Sequence, residues 1–330
     1  MKLARFDPGS DSDSLLAAYE IVVAGWPYDD PNVPVFSLDV FAGNWVGWDS
    51  EPRECWLASD DSGQPVGCYL LTLPERANQT MAFGSPCITP DRRRAGLGSD
   101  LLLHCMERAR LAGRTRLAAE ARDGSPGAAF AAAKGARGGI DSVFRVMDID
   151  AAVPDRLAVL RRDAEPHAAG YELLSWEGST PDEFVDEVVR VHKAMADAPR
   201  DDGVEPWNWD AAQVRSLDQS LADRGLSQYS VAARHRGSGQ FAAVTQIAAD
   251  PALPEWAFQQ ITAVVPDHRG HRLGLLVKIA MVELLAERRP TTARIFTGNA
   301  GLNAPMIAIN EQLGYYVSDI YRSWELDIAR

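Results

Sequence analysis

A basic, glycine-bearing stretch that closes one apolar run and opens an amphipathic one occurs twice in this chain. That repetition limits the possible folds more than any other feature. Residues 87–110 read CITPDRRRAGLGSDLLLHCMERAR, and residues 264–288 read VVPDHRGHRLGLLVKIAMVELLAER. With Pro90 set on Pro266, Asp91 meets Asp267, Arg93 meets Arg269, Leu97 meets Leu273 and Gly98 meets Gly274, each 176 residues apart. A repeat at that distance within 330 residues predicts two domains, each large enough to bury its own core.

The surroundings repeat as well. Before the first copy lie strand-like runs at 66–73 and 80–88, with a turn signal at Asp61-Ser62-Gly63. Before the second lie runs at 229–234, 241–248 and 256–265, with a glycine-rich turn at 236–239. Leu97, Leu101, Leu102, Cys105 and Ala109 follow at helical spacing, as do Leu273, Leu276, Val277, Ala280 and Leu284. Short strands at 116–119 and 293–297 come next, then a short helix and a closing strand in each half. The pattern predicts an α/β (α+β) fold in two domains, 1–152 and 153–330. The boundary falls between Ile149 and Tyr171, in a charged, alanine-rich stretch that reads as a connecting helix. Residues 25–50 and 198–210 read as loops carrying Trp26, Trp45 and Trp48, and Trp207 and Trp209. These rings either pack the loops down or wall an acceptor pocket.

A formal net charge of −13 argues against a broadly basic nucleic-acid surface, though local arginines can still bind an anion. No apolar run approaches the ~18 residues that cross a bilayer, and the polar start has no signal core, so a cytoplasmic, non-membrane protein is expected. Cys55, Cys68, Cys87 and Cys105 form no CxxC pair. They read as buried thiols of a reducing compartment. The six histidines contain no HExxH pair, and no metal is expected.

The chemistry concentrates in residues 88–99. Pro90 ends strand pairing, and glycines allow close approach to a ligand. A helix opening near Gly96 leaves N–H groups free where the helix dipole favours an anion, so a pyrophosphate fits. Arg92, Arg93 and Arg94 can add charge-assisted contacts.

Arg93-Arg94-Ala95-Gly96-Leu97-Gly98 resembles the R/Q-x-x-G-x-G/A pyrophosphate loop of GNAT N-acetyltransferases. The second copy, Arg269-Gly270-His271-Arg272-Leu273-Gly274, departs from it, with Arg272 in place of the central glycine. Farther on, Asn303, Met306, Asn310 and Leu313-Gly314-Tyr315 resemble the N-x-x-M-x-x-x-N-x-x-L-G-F/Y ending of many members, whereas Lys134-Gly135-Ala136 matches less well. The resemblance spans nearly the whole chain and is closest to tandem GNAT proteins of the mycothiol-synthase-like kind.

The resemblance implies two tandem GNAT folds, each a mixed, mostly antiparallel central sheet flanked by helices. It implies acetyl-CoA or another acyl-CoA as donor, held by Ile88, Arg93, Arg94, Ala95, Gly96, Leu97, Gly98 and Ser99. In the degenerate copy the corresponding residues are Val264, Arg269, Gly270, Arg272, Gly274 and Asn303. It implies acyl transfer to the amine of a small molecule. The alternatives are a donor carried as acyl-phosphopantetheine on a carrier protein, and a non-catalytic acyl-CoA-binding module. A monomer or homodimer is expected, with no nucleic-acid partner. The family's usual tyrosine acid would fall at Asn310 and Ala131, neither of which can serve. Glu120, Glu255 and Tyr315 are the catalytic candidates, and His268 is a neighbour of the second loop.

Overall fold

The computed structural model describes residues 1–47 and 51–329, so Trp48 lies outside the described residues. In chain order the first part holds β1 (Lys2–Phe6), α1 (Ser12–Asp29), α2 (Leu38–Val46), β2 (Arg53–Ser59), β3 (Pro65–Thr72), β4 (Met81–Gly84) and β5 (Cys87–Ile88). Then come α3 (Leu97–Leu111), β6 (Arg116–Arg122), α4 (Pro126–Ala133) and β7 (Arg137–Asp148). The second part holds α5 (Val153–Ala164), β8 (Tyr171–Glu177), α6 (Val185–Lys193), α7 (Ala211–Asp223), β9 (Ser227–His235), β10 (Phe241–Ala249) and β11 (Trp256–Val264). It closes with α8 (Leu273–Arg288), β12 (Arg294–Ala300), α9 (Ala304–Leu313) and β13 (Tyr316–Asp327).

Two compact units result. Unit 1 comprises Met1–Asp141, Asp201–Glu205 and Asp319–Arg330, and unit 2 comprises Ser142–Arg200 and Pro206–Ser318. In unit 1 the strand order is β1-β2-β3-β4-β6-β13, with β5 also on β3. In unit 2 it is β8-β9-β10-β11-β12-β7. Each sheet is antiparallel except for one central parallel pair, β4 with β6 and β11 with β12. The units do not run with the halves 1–152 and 153–330, because the closing strands are exchanged. Residues 142–148 of β7 pair with β12, and residues 321–327 of β13 pair with β6. The stretch read as connecting is the helix α5, which buries Val153, Leu157 and Ala164 in the core of unit 2.

Strand alternation sets the cores. Along β3, Tyr69 and Leu71 face a cluster with Leu101, Leu102, Cys105 and Ala109 of α3. Cys68 points the other way, to Leu15, Ala18 and Ile21 of α1. Ile328, just past β13, is fully buried in the α3 cluster. In unit 2, β10 is buried along its whole length, as expected of a strand covered by helices on both faces.

Within the stretch 25–50 read as a loop, residues 25–29 and 38–46 are helical, and residues 48–50 lie outside the described residues. The buried stripe Leu15, Ala18, Ile21 and Gly25 carries α1 through Pro27 to Asp29, and α2 follows with Ser37 accepting from the Val40 N–H. Pro27 falls in the last turn of α1, where losing one helical N–H costs least. Trp45 packs against Phe6 and Phe41 at ring separations of 5.8 and 4.9 Å. All four cysteines are free, and Cys55, Cys68 and Cys105 are buried. Among the described residues no helix is long and apolar enough to cross a membrane, and no cluster of His, Cys, Asp and Glu suits a metal ion.

Candidate functional site

β5 leads through a short 3-10 turn at Pro90–Arg92 into α3. Arg94 and Gly96 both take left-handed backbone, at φ 67° and 90°. In unit 2 the turn Pro266–His268 leads to α8 through Gly270 and Arg272, at φ 85° and 54°. Both left-handed positions recur at the same spacing of 176 residues, with glycine and arginine interchanged. The repeat is therefore a repeat of backbone conformation, and Arg272 accepts a strained cap that glycine fills freely in unit 1.

In unit 1 this loop opens into a cavity of about 650 Å³. Gly96 caps α3 without any side-chain hydrogen bond, so no side chain covers the start of the helix. A Cβ at Gly96 would meet nothing within 4 Å, and one at Gly98 would lie 3.6 Å from the Phe130 ring. The backbone therefore stands bare on the cavity side. The cavity continues where the sheet splits. Pairing of β4 with β6 ends at Phe83 with Ala118, and the chain turns away through Ser85 and Pro86. Beyond that point Ser85–Ile88 and Glu120–Arg122 line the same cavity, with α4 as its floor.

The three loop arginines have separate roles. Arg92 pairs with Asp60. Arg93 binds Asp29 at 2.7 Å and donates from Nε to the Ile88 carbonyl at 3.1 Å. Gly25 leaves room for that pair, since a Cβ there would come within 2.9 Å of the Arg93 guanidinium. Arg94 is exposed and lines the cavity. The expected triple cation thus leaves one arginine on the cavity and uses two to fix the loop. Ile88, Gly98 and Ser99 also line the cavity, whereas Leu97 packs into the core and Ala95 faces solvent.

The cavity also has an acidic lining. α1 ends with Asp29 and Asp30, where its dipole disfavours carboxylates. Arg122 offsets this, donating to the carbonyls of Asp29 at 2.8 Å and Tyr28 at 3.1 Å. Tyr321 of β13 donates its hydroxyl to Asp30. Burial pushes the Asp30 carboxyl above its usual range, with the Tyr321 hydrogen bond pulling the other way. Burial, and then Asp30 itself, pushes the Tyr321 phenol up. Asp319 is buried, with Oδ1 accepting from Asn32 at 3.1 Å and Oδ2 unpartnered. Trp26 also lines the cavity and is tied by its Nε1 to the Val33 carbonyl at 2.7 Å.

Of the catalytic candidates, only Glu120 reaches this cavity. Glu255 is exposed at the start of β11, a strand length away from the loop that follows β11. Tyr315 is buried in the core of unit 2, while Tyr316 is exposed. The second loop is packed with protein. Leu273, Leu275, Leu276 and Val277 are buried, and a Cβ at Gly274 would meet Ile309 at 3.0 Å. Val264 packs against the same core, and Arg269 pairs with Asp197 at 2.6 Å. Asn303 caps α9 by accepting from the Met306 N–H, and His268 is hydrogen-bonded to the Tyr171 hydroxyl at 2.8 Å. Sequence reading passed over Asp29, Asp30, Arg122 and Tyr321. The two aspartates were hidden in a presumed loop, and no local motif marks Tyr321.

Unit 2 holds a buried amine of its own. Lys278 lies 4.8 Å from the centre of the Tyr315 ring and donates to Asn310 at 2.8 Å. Burial lowers its pKa from 10.5 to about 7. The unfolded chain keeps this proton up to its ordinary pKa, so between pH 7 and 10.5 the unfolded state binds more protons and stability rises with pH. Below about pH 7 the folded amine is protonated too, and the slope vanishes. Thermal and denaturant unfolding at pH 7 and pH 9 is expected to show an added slope of up to about 1.4 kcal/mol per pH unit. Lys278→Met removes it. An equal slope in that variant would contradict the assignment.

A strand–turn–helix connection beside a split between two parallel strands thus frames the cavity of unit 1. The model of the acetyltransferase (GNAT) family matches residues 15–134. Over 100% of its length the chain is similar to a tandem GNAT protein from the clavulanic acid biosynthesis pathway, at 26% identity, a TM-score of 0.83 and 99% coverage of that chain. It is also similar to a GCN5-related N-acetyltransferase from Sphaerobacter thermophilus, at 15% identity and a TM-score of 0.68, covering 99% of this chain and 95% of that one. The second likeness shows the fold alone. Curated protein sequences give no match. Residues 15–134 thus match the GNAT family model, and the whole chain shares the architecture of a tandem GNAT protein.

Proposed function

We propose that the chain moves an acyl group from acyl-CoA, held in unit 1, to an amine of a small-molecule acceptor. The observation that carries this reading is a cavity of unit 1 that brings together two kinds of lining: the start of α3, uncapped by any side chain, with Arg94 and Ser99, and the carboxylates Asp30 and Glu120. The first suits a diphosphate and the second a cationic amine. In the same cavity the separated edges of β5 and β6 offer backbone groups to an amide-bearing arm. Bound there, acyl-CoA supplies an activated thioester carbonyl. The residues of unit 1 orient it, hold the amine beside it and keep bulk water from the split. Glu120 and Asp30 are the carboxylates placed to hold the acceptor. The tandem GNAT relative belongs to a small-molecule biosynthesis pathway, which supports a small-molecule acceptor.

Titration calorimetry with acetyl-CoA, followed by thiol release over a panel of amines, tests the proposal. Saturable binding at one site in unit 1 and turnover favouring cationic amines are expected. Turnover with an acylated carrier protein but not with acetyl-CoA would reassign the donor. Absence of both binding and thiol release would overturn the reading.

A further inference from the structure

We propose that Cys68 and Cys87 are a dithiol that small organic disulfides oxidise, with Cys87 reacting from the cavity and Cys68 closing the bond behind it. The inference goes beyond the acyl-transfer reading and does not depend on it. Three observations carry it. First, Cys68 on β3 and Cys87 on β5 are directly opposite in an antiparallel pair. Such partners stand ~4.5–5.5 Å apart at Cα, inside the ~4.4–6.8 Å that a disulfide spans. Second, both sulfurs lie on the α1 face, Cys68 at 3.7 Å from the Ala18 carbonyl oxygen and Cys87 at 3.9 Å from that of Ile21. The two thiols are hydrogen-bonded to each other. Third, the pair is unequal in access. Cys87 lines the cavity of unit 1, whereas Cys68 is 1% exposed. No other pairing competes. Cys55 is opposite Leu70 and so only diagonal to Cys68, at ~7–8 Å between Cα atoms, too far for a bridge, and it lies one strand further from Cys87. Cys105 of α3 packs on the opposite face of β3.

The surroundings give the two thiols different parts. The hydrogen bond from Cys68 holds the Cys87 thiol below its ordinary range, and the Arg93 guanidinium acts the same way, while burial, Asp29 and Asp30 oppose them. The same hydrogen bond, together with burial, pushes the Cys68 thiol up. The thiolate is the attacking form, so Cys87 is the nucleophile and Cys68 the resolving thiol. The Cys87 sulfur attacks one sulfur of the small disulfide. That S–S bond breaks, and the first released thiolate takes up the Cys87 proton. The Cys68 sulfur then attacks the Cys87 sulfur. The mixed disulfide breaks, and the second released thiolate takes up the Cys68 proton. The chain loses two hydrogens with their electrons, and the small disulfide becomes two thiols. The new bond ties β5 to β3 one residue before Ile88, whose carbonyl holds Arg93, so oxidation fastens the root of the 88–99 loop.

The test treats the full, reduced chain with oxidised glutathione and reads intact mass and peptide maps. The parent is expected to lose two hydrogens and to yield a peptide cross-linked between Cys68 and Cys87. Dithiothreitol should then restore all four free thiols. Cys68→Ala should stop at the mixed disulfide, with one glutathionyl group on Cys87. Because Cys68 is buried, Cys68→Ser is run beside it, and the variant that keeps the parent's unfolding temperature is read. Cys87→Ser should consume oxidised glutathione at least about 10-fold more slowly than the parent. Cys55→Ser and Cys105→Ser should cross-link as the parent does. Four results would overturn the dithiol: a parent that keeps four thiols, a cross-link between any other pair, a lasting glutathionyl adduct on the parent, or an adduct of Cys68→Ala on a cysteine other than Cys87. None of these readouts involves acyl transfer. Absent acetyl-CoA binding would overturn the acyl-transfer reading alone, and an unreactive pair would overturn the dithiol alone.

Discussion

Deleting residues 319–330 is expected to abolish the acetyl-CoA binding proposed for unit 1 and to remove that unit's calorimetric unfolding transition. This outcome follows from what those residues do within unit 1. Seven positions of β13, from Tyr321 to Asp327, pair with β6. Without them β6 keeps only its short pairing with β4 and presents an open edge. Ile328 leaves the α3 core, where it is fully buried, and Arg110 and Thr115 lose their bonds to its backbone. A single large-to-small change in such a core costs about 2–5 kcal/mol, and a whole domain has only about 5–15 kcal/mol to lose. The milder Ile328→Ala should lower the stability of unit 1 by about 3 kcal/mol and leave the cavity intact. Full acetyl-CoA affinity in the truncated chain would show that β13 is dispensable to the site.

Gly96→Glu is expected to weaken acetyl-CoA binding by at least about 100-fold. Two effects add. At φ 90° any side chain strains the backbone, at about 1–3 kcal/mol. The new carboxylate also stands where a diphosphate would sit, cancelling the attraction of the helix start. Since about 1.4 kcal/mol is a factor of ten, strain alone predicts roughly tenfold for Gly96→Ala, whose Cβ has open space around it. The alanine variant therefore isolates backbone conformation, and the glutamate variant adds charge. Calorimetric affinities for both separate the two effects. Equal, unchanged affinities would remove the diphosphate from this loop.

The loop was legible because its chemistry is local. Pro90, Gly96 and the spacing of Leu97, Leu101 and Cys105 fix a strand, a turn and a helix start within some twenty residues, and the repeat at 264–288 confirms the element order. The strands around it were legible for the same reason. The exchange of closing strands was not, since nothing local in β7 or β13 says which of two distant sheets it completes. The acidic lining was missed because it is assembled from three distant places: the last turn of α1, the tip of β6 and β13. Positions Asn310 and Ala131 gave no proton donor, and nothing near Tyr321 advertises that its phenol reaches Asp30. Arg92 and Arg93 were read as anion ligands because charge is visible in sequence, whereas the partners Asp60 and Asp29 that engage them are 32 and 64 residues away.

The crossed strands also set a timetable. Leu117 pairs with Leu326, a partner 209 residues further along the chain. At a synthesis rate of about 5–20 residues per second, that partner emerges roughly 10–40 s after β6 does. Throughout that interval the central strand beside the 88–99 loop has one side vacant, and the second unit must be translated before the first can close. A nascent chain of this kind depends on whatever shields that strand while the ribosome works, and joining ends so far apart slows the final closure further.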